Sequence, residues 1–253
     1  MNVVALQLDV VWENPKENYR RVLRYAREAA DAGADVFVLP EMFATGFSMN
    51  LQVTTEKYCG ETTGFLRSIA REFDMNVIGG LVLEGKEKRG RNTALAVGRD
   101  GNAIAIYTKS HLIGMLKEDI YHEPGDGPQI FTLDDMDCAC FICYDLRFPE
   151  LFRLVADNCS LVFVIASWPS VRHYHWDMLL KARAIENQNY VVGVNRIGEG
   201  GGITFAGGTM ICSPLGDVIA HGGDKEGLIL GDVNQRTVKE IRCQMPFLND
   251  RRF

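Results

Sequence analysis

Cys143 lies in Cys140-Phe141-Ile142-Cys143-Tyr144-Asp145-Leu146-Arg147-Phe148-Pro149-Glu150, a stretch whose residue types suit covalent chemistry. The apolar run Cys138 to Ile142 predicts a buried strand, and Phe148 to Asp157 predicts a helix. Cys143 then falls on the strand-to-helix turn, where the positive end of a helix would lower the thiol pKa and keep the sulfur nucleophilic. A cysteine nucleophile also needs a base for its proton and donors for the oxyanion it creates. Glu41 and Lys109 stand at or near the ends of other predicted strands. Glu41 is the candidate base, because partial burial beside Leu39, Met42 and Phe43 would raise a carboxyl toward neutrality. Lys109 is the candidate cationic donor, and the backbone N–H of Tyr144 is a second donor. Taken singly, each has an ordinary structural reading: a capping glutamate, a solvated lysine, a packed cysteine. The three together make a catalytic set.

The elements that must position this set are legible from period and punctuation. Val3 to Leu8 predicts a strand. Pro15 opens a helix with Tyr19, Val22, Leu23, Ala26, Ala29 and Ala30 on one stripe, and Gly33 closes it. Asp35 to Leu39 predicts a strand ending at Pro40-Glu41. Phe65 to Phe73 predicts a helix, followed by strands at Val77 to Leu83, Thr93 to Val97 and Ile104 to Lys109, with Asp100-Gly101 as a hairpin turn. Residues 110 to 128 read as a long functional loop. Leu161 to Ala166 predicts a buried strand and Trp176 to Asn187 a helix. Strands at Val191 to Val194, Thr209 to Ile211 and Leu228 to Val233 follow, then a helix over Gln235 to Cys243. Helices alternate with strands while hairpins interrupt them, which suits a layered α/β sandwich with mixed sheets. Without repeat or linker, residues 1–253 read as a single domain.

Composition excludes several classes. At 47% hydrophobic and 24% charged residues over 253 positions, the chain is an ordinary globular sequence. Its net charge of −6 offers no basic face for nucleic acid. No apolar run is long enough to span a bilayer. The N-terminus reads as a first strand rather than a targeting segment. Seven cysteines, mostly in apolar context, point to a reducing, cytoplasmic setting. Cys140 and Cys143 form a C-x-x-C, but residues three apart in a strand face opposite sides about 10 Å apart, too far for a disulfide. His173 and His175 could be read as a metal pair, yet only Asp177 lies close by. His111 is a rival base in a Cys-His arrangement.

Three segments carry a wider likeness: Leu39-Pro40-Glu41-Met42-Phe43 with Gly46-Phe47, Tyr107-Thr108-Lys109-Ser110-His111-Leu112, and Cys143 to Glu150. With Trp176, Ala182-Arg183-Ala184-Ile185-Glu186-Asn187 and Asn195-Arg196, they resemble, in order and over the whole chain, the nitrilase (carbon–nitrogen hydrolase) superfamily. The resemblance implies a four-layer αββα sandwich, usually paired as a homodimer, and a Glu41-Lys109-Cys143 triad. It implies a second glutamate after the lysine, for which Glu118 is the choice and Glu123 the competitor. It also implies a small-molecule amide substrate, an acyl thioester on Cys143, and neither metal nor organic cofactor. Met42-Phe43 with Thr45 to Met49, Trp168-Pro169, Arg172 and His175-Trp176 resemble the omega-amidase branch, which acts on 2-oxoglutaramate and 2-oxosuccinamate. On that reading Arg172 meets the substrate carboxylate while Phe47 and Trp168 wall the pocket. Amidases of N-carbamoyl amines or of deaminated glutathione are the alternatives, and a thiol–disulfide redox protein is the remote one.

Overall fold

The computed structural model describes residues 1–252. The chain begins with β1 (Asn2–Gln7), α1 (Pro15–Asp31), β2 (Val36–Val38), the one-turn α2 (Leu51–Thr54), the short β3 (Thr55–Glu56) and α3 (Glu61–Glu72). It continues through β4 (Asn76–Glu84), β5 (Gly90–Val97), β6 (Ala103–Thr108), the one-turn α4 (Glu118–Tyr121), β7 (Ile130–Leu133), β8 (Met136–Ile142) and α5 (Pro149–Val155). Next come β9 (Leu161–Ala166), α6 (His173–Asn187), β10 (Tyr190–Asn195), and a ribbon of β11 (Ile197–Gly200) and β12 (Ile203–Ala206). The chain closes with β13 (Met210–Cys212), β14 (Val218–His221), β15 (Gly227–Asp232) and α7 (Gln235–Gln244).

One sheet has the order β15-β1-β2-β4-β5-β6 with β3 beside β4, and the second has the order β14-β13-β10-β9-β8-β7. Both are mixed: β1, β2 and β4 run parallel, as do β8, β9 and β10, and antiparallel strands flank each set. Alternation along the strands of the first sheet sorts its side chains to two sides. Val4, Leu6, Phe37, Leu39 and Val77 join Val22, Ala26 and Ala29 of α1 and Leu66, Ile69 and Ala70 of α3 in one cluster. Val3, Ala5, Val38, Ile78, Ala94, Ala96 and Ala105 join the second sheet in another. That cluster runs on through β9, buried at every position, to Trp176, Leu180 and Ala184 of α6 and Phe152 of α5. The layers are therefore helix, sheet, sheet, helix, the αββα sandwich that the resemblance implies.

Local chemistry starts and stops these elements where the sequence signals it. The Asn14 side chain accepts the Glu17 amide at 3.2 Å, Pro15 fills the first turn of α1, and Gly33 takes a positive φ beyond its end. Other features differ from expectation. The strands β7, β14 and the ribbon β11–β12 stand where no strand is predicted, and the loop 110–128 contains a 3₁₀ turn (Gly114–Leu116) and α4. Helix α3 begins at Glu61, ahead of the predicted Phe65, because the Glu56 carboxylate accepts the amides of Thr62 and Thr63, each at 2.9 Å. The four segments that carry the candidate chemistry leave the sheets at the C-terminal ends of β2, β6, β8 and β9, where α/β folds gather their ligands.

Candidate active site

Glu41 sits on the turn after β2, whose next residue, Met42, has φ +47°. Gly80 of β4 makes room for it: a Cβ there would lie 2.6 Å from Glu41 Cα and from the Met42 nitrogen. Lys109 follows β6, and its amide donates to the Asn92 carbonyl at 2.8 Å. Glu118 opens α4. Cys143 has φ +46° at the start of a 3₁₀ turn, Cys143–Arg147, an unfavourable backbone state for a residue with a Cβ. Asp145 holds that turn, accepting the Ile142 amide at 3.1 Å and the Tyr107 hydroxyl at 2.8 Å on one oxygen, and the His111 amide at 2.9 Å on the other. Arg183 of α6 secures its far end by donating twice to the Leu146 carbonyl.

Glu41, Lys109 and Glu118 are fully buried. Lys109 Nζ lies 3.1 Å from Glu41 Oε1 and 3.0 and 2.9 Å from the two oxygens of Glu118. Asn92 of β5 donates to both carboxylates, at 2.7 Å to Glu41 Oε1 and 2.9 Å to Glu118 Oε1. The amide of Ser167, just past β9, donates to Glu41 Oε2 at 2.7 Å, and that of Ile113 to Glu118 Oε2 at 2.9 Å. Burial opposes charge on Lys109, but Glu118 and then Glu41 outweigh it and hold the ammonium above the ordinary lysine value. Burial likewise pushes Glu118 up. The Lys109 charge, helped by the Asn92 and Ile113 donors, outweighs that and holds it below the usual carboxylate range. Glu123, the competitor, pairs with Arg91 instead.

Cys143 differs from expectation in one respect. Burial, followed by the charge on Glu41, pushes its thiol well above the ordinary cysteine value, and Lys109 offsets only part of this. The first turn after the strand is short and 3₁₀, and α5 begins only at Pro149, so no helix N-terminus of useful length points at the sulfur. Desolvation and the Glu41 charge outweigh what Lys109 contributes, so these surroundings favour the protonated form of the sulfur over the thiolate.

Cys143 lines a small pocket with Phe47, Ile113, Leu116, Tyr144, Ser167, Trp168, Pro169, Arg147 and Arg172. Phe47 also covers Lys109, with Nζ 5.2 Å from its ring centre. Trp168 is fixed by its amide on Asn195 Oδ1 at 2.7 Å and its indole N–H on the Arg172 carbonyl at 2.8 Å. Tyr144 is the second residue of the 3₁₀ turn, where amides lack a partner within the turn. Arg147 and Arg172 bring two cations to the cavity, and among the described residues neither has a carboxylate within 4.0 Å. Burial, then the charge of Arg172, pushes Arg147 below the ordinary arginine value.

Of the candidates, Glu41, Lys109 and Glu118 lie close enough to shift the Cys143 thiol, while Tyr144, Phe47, Trp168 and Arg172 line its pocket. Asn92 and Arg147 were not singled out. Asn92 carried a weak signal as a polar residue opening an apolar strand. Arg147 carried a stronger one, a cation four positions beyond the nucleophile. The rivals go elsewhere. His111 stacks on Phe148, 3.6 Å between ring centres, and faces Asp145 at 3.0 Å. His173 faces Asp177 at 3.6 Å while His175 meets Arg147 at 3.3 Å. Cys140 is a free, buried thiol like Cys143.

Glu41, Lys109 and Cys143 follow strand ends of an αββα sandwich, and the class of the protein comes from its likeness to known ones. The family model described as carbon-nitrogen hydrolase matches residues 2–243, so the chain belongs to the carbon–nitrogen hydrolase family, enzymes acting on amides. It is similar to the 2-oxoglutaramate amidase of Bacillus subtilis (strain 168), at 32% identity over 250 residues, 98% of this chain and 96% of that one. It is similar to omega-amidase YafV of Escherichia coli (strain K12), at 31% identity over 252 residues, 99% of this chain and 96% of that one. Among solved structures it resembles XC1258 from Xanthomonas campestris, a CN-hydrolase superfamily protein with an arsenic adduct in its active site. There the TM-score is 0.94 at 27% identity, over 100% of this chain and 97% of that one.

Proposed function

We propose that residues 1–253 form one hydrolase domain that releases ammonia from the amide of a small carboxylated substrate of the 2-oxoglutaramate or 2-oxosuccinamate kind. The observation that carries the substrate class is the pair Arg147 and Arg172, two cations without a carboxylate partner among the described residues, lining the mainly apolar pocket of Cys143. A guanidinium matches a carboxylate with two parallel hydrogen bonds. The amide end of the substrate then lies at the sulfur and the acid end at the arginines. The names carried by the relatives point the same way.

The neutral thiol sets the order of events. Glu41 accepts the Cys143 proton as sulfur attacks the amide carbon, so ionisation and bond formation go together. The oxyanion receives the Tyr144 N–H and a Lys109 N–H. Lys109 frees that hydrogen by relaxing its two-oxygen grip on Glu118 to one. Glu41 returns the proton to the departing nitrogen, ammonia leaves, and an acyl thioester remains on Cys143. Water then gives a proton to Glu41 and its oxygen to the acyl carbon. The C–S bond breaks, carboxylic acid departs, and Glu41 returns its proton to the sulfur, restoring the thiol.

Ammonia release should be measured with 2-oxoglutaramate, 2-oxosuccinamate, glutamine, an N-carbamoyl amine and a nitrile. Turnover is expected for the first two, and rapid quenching should put the acyl mass on the Cys143 peptide. Preference for the carbamoyl amine would overturn the substrate class, and an adduct on another peptide would overturn the nucleophile. Leu154 of α5, Val171 in the turn ahead of α6, and Tyr174, Met178 and Ile185 of α6 are exposed apolar side chains that support pairing of two copies in a cytoplasmic homodimer.

A further inference from the structure

Two carboxylates held close together in a dry site tend to share a proton, because two like charges there disfavour each other's ionisation. Glu41 and Glu118 are such a pair, since one oxygen of each accepts from the same Lys109 nitrogen at 3.1 and 3.0 Å. With both ionised, one ammonium faces two negative charges. A proton lodged between them would relieve the imbalance and occupy the acceptor that the thiol needs. Asn92 is placed against this: its Nδ2 donates one hydrogen to each of the same two oxygens, at 2.7 and 2.9 Å. An amide nitrogen can only donate, so it favours the charged form of both partners without adding a charge. The arrangement carries a cost. Asn92 Oδ1 is buried without a partner, an expense that a purely structural asparagine avoids by turning to satisfy its carbonyl.

We propose that Asn92 is a positioning residue that keeps Glu41 and Glu118 separately ionised, so that the proton leaving Cys143 goes to Glu41 alone. This rests on Glu41 being the base of the amidase reaction. The charged and polar groups facing the pair are Lys109 after β6, the Ile113 amide ahead of α4, Cys143 after β8 and the Ser167 amide after β9. His122, at the end of α4, lies with Nδ1 3.8 Å from Glu118 and has no hydrogen-bond partner on either ring nitrogen. None of these donates to both carboxylates except Lys109.

The test compares the whole enzyme with Asn92→Ala, which removes both donors, and Asn92→Thr, which suits a strand and leaves one. On an amide that the unaltered enzyme turns over, Asn92→Ala should move the acid limb of kcat/KM up by about one pH unit. Its kcat below that limb should fall by up to about tenfold, with KM within about threefold. Asn92→Thr should lie between, and it decides the matter if the alanine variant does not fold. Alkylation of Cys143 by iodoacetamide, followed across pH on its own peptide, should shift in the same direction, with exposed Cys59 and Cys243 as unshifted references. A folded variant that keeps the original acid limb and alkylation profile overturns the inference, as does a loss confined to KM. If the unaltered enzyme releases ammonia from no amide, the functional reading fails while the alkylation profile still judges Asn92.

Discussion

Replacing Arg172 by methionine removes a cation from the pocket while keeping most of the stem. The Arg172 carbonyl that holds the Trp168 indole is backbone and survives the change. A carboxylate about 4 Å from a guanidinium gains roughly 4 kcal/mol at an effective dielectric near 20. Desolvation and side-chain ordering consume part of this, leaving about 1.5–3 kcal/mol for a charge-assisted hydrogen bond. Arg172→Met should therefore raise KM for 2-oxosuccinamate about 10- to 150-fold. Arg147→Met should do so by a similar factor and also lower stability, since its guanidinium stacks 4.8 Å over the Trp168 ring. If both arginines hold one carboxylate, the double variant departs from additivity by at least about 0.5 kcal/mol. The assay is steady-state ammonia release from 2-oxosuccinamate beside an uncharged amide of similar length. Only the charged substrate should suffer. Equal losses on both amides, or none on either, would refute carboxylate recognition by these arginines.

Cys143→Ser should lower turnover at least about a thousandfold, whereas Cys140→Ser should keep its activity and lose about 1–3 kcal/mol of stability for placing a hydroxyl in an apolar strand, read by ammonia release and urea denaturation. The depressed Glu118 carboxyl binds fewer protons in the folded state than in the unfolded one, so its stabilisation is complete above the ordinary value of 4.5 and fades as pH falls toward 2. Glu118→Gln should flatten the fall of the urea midpoint across that window, and an unchanged slope would contradict the ion pairing with Lys109.

What the sequence discloses divides by distance along the chain. Leu161 to Ala166 was readable to the residue because a strand buried on both faces is a plain apolar run. Glu41, Lys109 and Cys143 stand out in the sequence as candidates because each follows a largely apolar predicted strand. The start of α3 was not, since its cap comes from a carboxylate six residues upstream. The ribbon β11–β12 leans on Pro169 through a bridge at Phe205 and on the Arg196 guanidinium over Phe205 at 4.4 Å, contacts with no local signature. Asn92 finds its partners 51 and 26 positions away. The thiol of Cys143 shows the same limit for electrostatics. Sequence suggested a helix beside it, but depth of burial, which decided the sign, is a property of the assembled layers.

Those layers divide the machinery between them. Glu41, Asn92 and Lys109 ride on one sheet, Cys143 and Ser167 on the other, and alanines at 5, 94, 96 and 105 lie in the cluster that joins the two. If Cys143 and Glu41 act as proposed, the sheets must keep register for sulfur and base to meet, and a misplacement of about 1 Å can cost about a hundredfold in rate. A larger side chain at Ala94 or Ala96 would then behave as a catalytic lesion in a protein that still folds. Enzymes of this architecture are accordingly constrained in their interiors by the reaction as well as by stability, and drift in the sheet interface is filtered by turnover before it is filtered by unfolding.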